Sequence, residues 1–247
     1  MKMLYEGKAK QVFLTENPNE YIVHYKDDAT AFNGEKKDQL AGKGQLNNAI
    51  SSHIFTMLNE KGIKTHFIKQ IDERDMLVKK VTILPLEVII RNISAGSMAK
   101  RLDLKEGIAF ETPIFEFCYK RDDLGDPLIN DDHAIALGIV TREEVEFIKQ
   151  ETFKINEILK DFFMKANLKL VDFKIEMGRT SDGTLLLADE ITPDSCRLWD
   201  QRDGSGKVEH LDKDLFRRDL GDIIPAYEEV ESRLAELAKS EGIEVAE

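Results

Sequence analysis

The sequence predicts an α+β protein built as two lobes with a cleft between them. Strand-like runs precede helical runs in blocks instead of alternating strictly with them, which favours that arrangement. A chain of 247 residues, at roughly 150 per domain, makes one large domain or two intimate ones. Apolar residues are 42% and charged residues 33%, so a solid core is available and collagen-like, low-complexity and disordered classes are excluded.

In chain order, residues 3–6 and 11–15 read as two strands around Gly7-Lys8-Ala9-Lys10, and Tyr21 to Tyr25 as a third, from their β-branched and aromatic content. Leu46, Ala49, Ile50, Ile54, Met57 and Leu58 recur at three- and four-residue spacing and predict a helix that Gly62 stops. Leu77 to Val81 and Leu86 to Ile93 read as strands, and Ala95-Gly96-Ser97 opens a short helix to Lys100 or Leu102. Between 103 and 140, with Pro113 and Pro127, one strand is expected over Ile114 to Tyr119 and otherwise loop. Thr141 followed by Glu144 is a capping box, and Val145, Ile148, Thr152, Ile155, Leu159, Phe162 and Ala166 trace one face of a long helix. Residues 168–178 and 184–191 are two further strands, and Ile223, Tyr227, Val230, Leu234, Leu237 and Ala238 predict a C-terminal amphipathic helix.

Thirty-five basic against 47 acidic residues give a net charge of −12, a field that repels nucleic acid and anionic membranes. Binding sites for anionic substrates must therefore gather positive charge locally. Cys118 and Cys196 stand far apart without metal spacing, so two reduced thiols are expected, and no disulfide or zinc site. The first residues lack a secretory signal's apolar core, and no run approaches the ~18 apolar residues of a membrane span, so a cytoplasmic protein is expected.

Three constellations carry chemistry. In Leu170-Val171-Asp172-Phe173-Lys174-Ile175-Glu176, alternation puts Val171, Phe173 and Ile175 on one face and Asp172, Lys174 and Glu176 on the other. A solvated charged face is the ordinary alternative. If Asp182-Gly183 is a two-residue type I′ turn, Glu176 faces Asp189 directly. Two opposed carboxylates repel unless a cation lies between them, and Mg²⁺, which takes one or two carboxylates and completes its shell with water and phosphate oxygens, fits that demand. The following loop brings Asp194 and Arg197 near the same place; a surface salt bridge is the plainer reading of Arg197.

Gly7-Lys8-Ala9-Lys10, at a hairpin tip, lets backbone N–H groups approach phosphates while Lys8 and Lys10 supply charge, although it is no Walker A sequence and an ordinary surface hairpin looks similar. In Leu84-Pro85-Leu86-Glu87-Val88-Ile89-Ile90-Arg91-Asn92-Ile93-Ser94-Ala95-Gly96-Ser97, a strand places Glu87 and Arg91 on one face and runs into a helix start. The free N–H groups, the Ser97 hydroxyl and Arg91 suit a phosphate, and simple helix capping is the alternative for the serines. The five histidines, at 24, 53, 66, 133 and 210, show no recognisable spacing and read as structural or surface groups.

These stretches resemble the phosphoribosylaminoimidazole-succinocarboxamide synthase (SAICAR synthetase) family over nearly the whole chain. The likeness is carried by LPLEVIIRNISAGS at 84–97, LVDFKIEMG at 170–178, the GKAK turn, DEITPDSCRLWD at 189–200 and DKDLFR at 212–217, in the expected order. Met177 stands where the family more often has an aromatic or aliphatic residue, and Asn33 where some members carry an acid. The resemblance implies a two-lobed, ATP-grasp-like fold: a β-rich, nucleotide-clamping lobe over 1–80 and a larger α+β lobe with an antiparallel sheet over 81–247. It implies a ligase that joins 5-amino-1-(5-phospho-D-ribosyl)imidazole-4-carboxylate (CAIR) to L-aspartate with ATP and Mg²⁺, and a homodimer.

By the same resemblance, Gly7, Lys8, Ala9 and Lys10 lie over the ATP phosphates, Lys79 borders the adenine, and Glu176 and Asp189 hold the nucleotide metal. Arg91, Ser97 and Arg197 hold the ribotide phosphate, with Glu87 also a substrate contact. Lys174 and Asp172 lie between the substrates and join Lys10 as catalytic candidates; Lys120, Asp126, Asp194, Lys213 and Arg217 contribute further contacts. A small-molecule kinase and a non-catalytic nucleotide-binding module are the alternative readings.

Overall fold

The computed structural model describes residues 2–246, apart from the Asn33 side chain. The chain begins β1 (Met3–Glu6), β2 (Lys10–Leu14), β3 (Glu20–Tyr25), β4 (Asp28–Ala31), β5 (Lys36–Gln39), α1 (Lys43–Glu60), β6 (Phe67–Gln70) and β7 (Asp75–Lys79). It continues with β8 (Thr82–Ile83), β9 (Leu86–Ile93), α2 (Gly96–Arg101), β10 (Ala109–Tyr119), β11 (Leu128–Ile129), α3 (Asp131–Ala136) and α4 (Arg142–Lys165). β12 (Leu168–Arg179), β13 (Leu185–Ala188), β14 (Cys196–Asp200), α5 (Asp214–Arg217) and α6 (Ile223–Glu241) complete it. The fold is α+β with antiparallel sheets, as the blockwise pattern predicts.

A five-stranded sheet runs β1-β2-β3-β7-β6, and a seven-stranded sheet runs β11-β10-β9-β12-β13, with β14 and β8 also paired to β12. Every strand-to-strand pairing in these sheets is antiparallel. The core runs continuously from the first sheet through α1 to the second, because α1 packs on β3, β6 and β7 and also on α6. No helix is long and apolar enough to cross a membrane among the described residues.

The long helix follows its sequence signal. Thr141 Oγ1 accepts from Glu144 N at 3.1 Å and Glu144 Oε2 from Thr141 N at 2.9 Å, closing the capping box. Val145, Ile148, Thr152, Ile155, Leu159 and Phe162 are all buried against β12 and β9. At roughly 1.5–3 kcal/mol for each large apolar side chain, that stripe decides the helix's seat. Met177, the family departure, is buried like its apolar counterparts and disturbs nothing.

Two expectations need correction. Between 103 and 140 there is more than one strand in loop: β10 begins at Ala109 and shifts register before Ile114, where Pro113 has no N–H for the ladder, and β11 and α3 follow. With six residues α3 is too short to show apolar periodicity; its signal is polar, the Asn130 side chain accepting from His133 N while His133 Nδ1 accepts from Asn130 N.

The second correction concerns the β12–β13 turn. The loop has three residues, Ser181 to Gly183, between Thr180 and Thr184, with Gly183 at φ 88° and its N–H donating to Thr180 O at 3.0 Å. A two-residue turn at Asp182-Gly183 would pair Glu176 with Asp189; the extra residue pairs Glu176 with Ala188 instead. Asp182 spends its carboxylate on Thr184 N and the Thr180 hydroxyl, which makes the wider loop self-sufficient. Gly183→Ala, forced into left-handed backbone, is expected to cost about 1 kcal/mol by the midpoint of chemical denaturation, without loss of nucleotide affinity.

Candidate active site

The slip in register does not separate the two acids. Asp189 follows β13 with φ 61°, in the left-handed region that few non-glycine residues enter, so strand alternation ends there. Lys174 Nζ lies 2.9 Å from Glu176 Oε1 and 3.4 Å from Asp189 Oδ2, bridging the pair. Lys120 Nζ adds a 2.6 Å contact to Glu176 Oε2. Lys10, reaching in from β2, pairs with Asp189 and lies 2.9 Å from Glu190 Oε1. At Lys10, Lys174 and Asp189 burial opposes charge, and the opposite charges outweigh it. Lys10 and Lys174 are held well above the usual lysine range and Asp189 well below the usual carboxylate range.

This charged floor belongs to a cleft of about 410 Å³ between the two sheets. The Gly7–Lys10 turn closes one side, with Gly7 N donating to Lys10 O at 2.8 Å, and Lys8 reaches across to Asp122 at 2.8 Å. Val12, Val23, Val78, Val81 and Ile83 give an apolar wall, and Lys79 lies exposed on its border. His66, with Nδ1 unpartnered, also lines it; burial pushes its pKa down to about 3, so it is a neutral imidazole. An apolar wall over a floor of lysines and carboxylates suits a nucleotide.

A second cavity of about 210 Å³ adjoins it, and Glu87 and Lys174 line both. A chain of alternating charge runs through its wall, with Arg91, Asp172, Arg197 and Arg217 lining the cavity. Arg91 Nε donates to Glu116 Oε2 at 3.1 Å and its Nη1 to Asp172 Oδ2 at 3.0 Å. Arg197 Nη1 donates to the same Asp172 oxygen at 2.8 Å and its Nε to Asp214 Oδ2 at 2.9 Å, and Arg217 completes the run on Asp214 Oδ1 at 2.9 Å. β9 and β12 register Arg91 opposite Asp172, and β14 registers Arg197 opposite Asp172 from the other side. Gly96 permits that crowding: a Cβ there would lie 2.2 Å from Arg197 Nη2.

Not every expected residue joins. Ser97 is exposed and outside the lining of the second cavity, and the Gly96 N–H of the α2 terminus is engaged by Glu106 at 3.3 Å. Asp194 lines the cavity but its carboxylate is engaged by Lys43 at 2.5 Å, Asn47 at 3.2 Å and Tyr227 at 2.6 Å. Lys213 stands behind it, pushed below the usual lysine range by burial while Asp194 pulls the other way. Asp126 and Lys120 both line the first cleft. The Asn33 side chain lies outside the described residues.

Glu190, Glu116, Asp214 and Lys43 were missed. Glu190 and Asp214 lie within the DEITPDSCRLWD and DKDLFR stretches, whereas Lys43, wholly buried at the start of α1, has no sequence signal. A larger hollow of about 490 Å³, beside the first turn of α4, gathers none of the candidate residues.

Residues 3–234 match the SAICAR synthetase family. The chain belongs to that family. It is 62% identical over 247 residues to the phosphoribosylaminoimidazole-succinocarboxamide synthase of Bifidobacterium adolescentis, covering 100% of this chain and 99% of that one. The crystal structure of the synthase from Ehrlichia chaffeensis superposes with a TM-score of 0.91 at 47% identity, over 95% of this chain and 98% of the other. A SAICAR synthetase solved in complex with ADP gives 0.90 at 46% identity with the same coverage.

Lys174 is the counter-charge to three carboxylates, Glu87, Glu176 and Asp189. Lys174→Met in this SAICAR synthetase family member is expected to cost about 3 kcal/mol of stability at pH 7.5, because acids are left buried and uncompensated. The sign follows from linkage. A raised lysine pKa gives stability that is present throughout neutral pH, and a depressed Asp189 gives stability that is lost as pH falls below its ordinary value. The gap between variant and wild type should narrow from pH 7.5 to pH 4.5 in urea denaturation, because the acids that the variant leaves without Lys174 take up protons there while the wild-type acids stay ionised.

Proposed function

We propose that this protein is the ATP-dependent ligase that joins CAIR and L-aspartate to give SAICAR, ADP and phosphate in purine biosynthesis. The observation that carries the reading is the meeting of two cavities at Lys174 and Glu87, one floored for a nucleotide and one walled by arginines. A carboxylate is a poor acyl donor, since its leaving group would be oxide. Transfer of the ATP γ-phosphoryl to the CAIR carboxylate gives an acyl phosphate, and the aspartate amine then displaces phosphate. That chemistry needs alignment and charge cancellation more than a nucleophile of the protein's own.

In this reading the Gly7-Lys8-Ala9-Lys10 turn covers the ATP phosphates and Lys79 borders the adenine. Lys10, Lys120 and Lys174 offset the charge of the transferring phosphoryl group, with Asp126 also lining the cleft. Arg91, Arg197 and Arg217 hold the ribotide phosphate in directions set beforehand by Glu116, Asp172 and Asp214. Glu87, Asp194 and Lys213 contact the remainder of CAIR or the incoming aspartate, and Ser97 reaches the ribotide only if its side chain turns inward. The two lobes are 1–80 and 81–247.

Glu176 and Asp189 are the residues that would hold Mg²⁺. They fit it: both are hard oxygen donors drawn together over a shared lysine, and Asp189 is held ionised. The metal supplies neutralisation of the nucleotide's phosphate charge. A cytoplasmic setting and a homodimer accompany the reading through the family resemblance.

Phosphate release, measured with CAIR, aspartate and ATP and with each left out in turn, tests the function. Product should require all three; steady ADP formation without aspartate would favour a small-molecule kinase, and nucleotide binding without turnover a non-catalytic module. Glu176→Gln is expected to lower turnover by about 100-fold or more while the circular dichroism spectrum stays native, and a fully active variant would remove Glu176 from the metal site.

A further inference from the structure

The two arginines of β14 and α5 are aimed by a residue that never reaches the cavity. The segment 209–211 runs antiparallel to β14, with Asp200 N donating to Glu209 O and Leu211 N to Leu198 O, each at 2.9 Å. At the next position Asp212 extends this contact with its side chain: Oδ2 accepts from Leu198 N at 2.8 Å and Oδ1 from Asp214 N at 2.7 Å. Asp212 is wholly buried and absent from the cavity lining. It therefore clasps the strand that carries Arg197 to the short helix that carries Asp214 and Arg217.

We propose that Asp212 is a positioning residue for phosphate recognition, fixing Arg197 and Arg217 relative to each other through the backbone at Leu198 and Asp214. The inference rests on the reading of the arginine-walled cavity as the ribotide site. A metal is not the explanation for this acid. His210, Asp212 and Asp214 stand within 4.8 Å of one another, yet Asp212 spends both oxygens on N–H groups and Asp214 spends both on arginines.

The acid is costly where it lies, which supports a functional role over a structural one. The groups facing it are Asp214 of α5, Arg197 and Cys196 of β14, Tyr227 of α6 and His210, whose Nδ1 is 4.0 Å away and unpartnered. Burial, then the Asp214 charge, pushes the Asp212 carboxyl up to about 7. A folded-state pKa above the ordinary value means that the native fold favours the protonated acid, so the ionised form present at pH 8 destabilises it. A neutral isostere removes that penalty but keeps only one acceptor for two N–H donors.

Asp212→Asn, studied at pH 8, separates the roles. The expected result is a ribotide KM raised about 10-fold, from the loss of one of two charge-assisted bonds, with ATP KM within about twofold and a melting temperature no lower than wild type. Asp212→Ala, with neither acceptor, should raise ribotide KM further, so Asn is a partial rescue; should the alanine variant not fold, the asparagine variant decides alone. An unchanged ribotide KM in Asp212→Asn overturns the inference. So does a rise in both KM values together with a lower melting temperature, which would show that Asp212 only holds the fold. A wild-type enzyme that does not saturate with CAIR would sink the cavity's assignment as well, and that control distinguishes the two failures.

Discussion

The contact between Lys10 of the first hairpin and the Asp189–Glu190 pair past β13 joins the five-stranded sheet to the seven-stranded one across the cleft. Its charges are largely withdrawn from water, and an ion pair in that position stabilises only if each remaining lone pair finds a partner. Lys174 supplies a partner to Asp189 and the Thr192 hydroxyl one to Glu190, while Lys120 joins through Glu176, so a single network spans the floor of the cleft. Glu176 and Asp189 each hold two lysines, so removing one lysine strips a buried acid of part of its counter-charge. The same arrangement that holds the lobes together thus provides the charge environment phosphoryl transfer requires.

A chain with a net charge of −12 must build its anion sites against its own field. In the second cavity Arg91, Asp172, Arg197 and Arg217 line the wall, and Glu116 and Asp214 engage these arginines from outside the lining. Each carboxylate removes net charge but fixes the direction of the guanidinium beside it. Affinity lost to cancellation is offset by the orientation entropy already surrendered, since ordered side chains need not be ordered again on binding.

The adjacency of the cavities matters as much as their contents. Glu87 and Lys174 line both, and they come from strands paired so that Ile89 lies opposite Lys174. Because the two residues lie on the central strands β9 and β12, this junction sits on a rigid part of the fold.

The sequence by itself determined the charged face of β12, the lysine-bearing first hairpin, the strand with Glu87 and Arg91, and the stripe and cap of α4. Each of these rests on period or on neighbours within four residues, and local rules reach that far. It did not determine the β12–β13 register, where one extra turn residue reverses the facing of every later side chain, nor the left-handed backbone at Asp189 that brings this acid back toward Glu176. Tertiary structure alone decided that Lys43 seals Asp194, that Gly96 yields space to Arg197, and that Asp212 ties β14 to α5. Those contacts join residues far apart along the chain, and their geometry is fixed by how sheets and helices pack, which no spacing within a segment records.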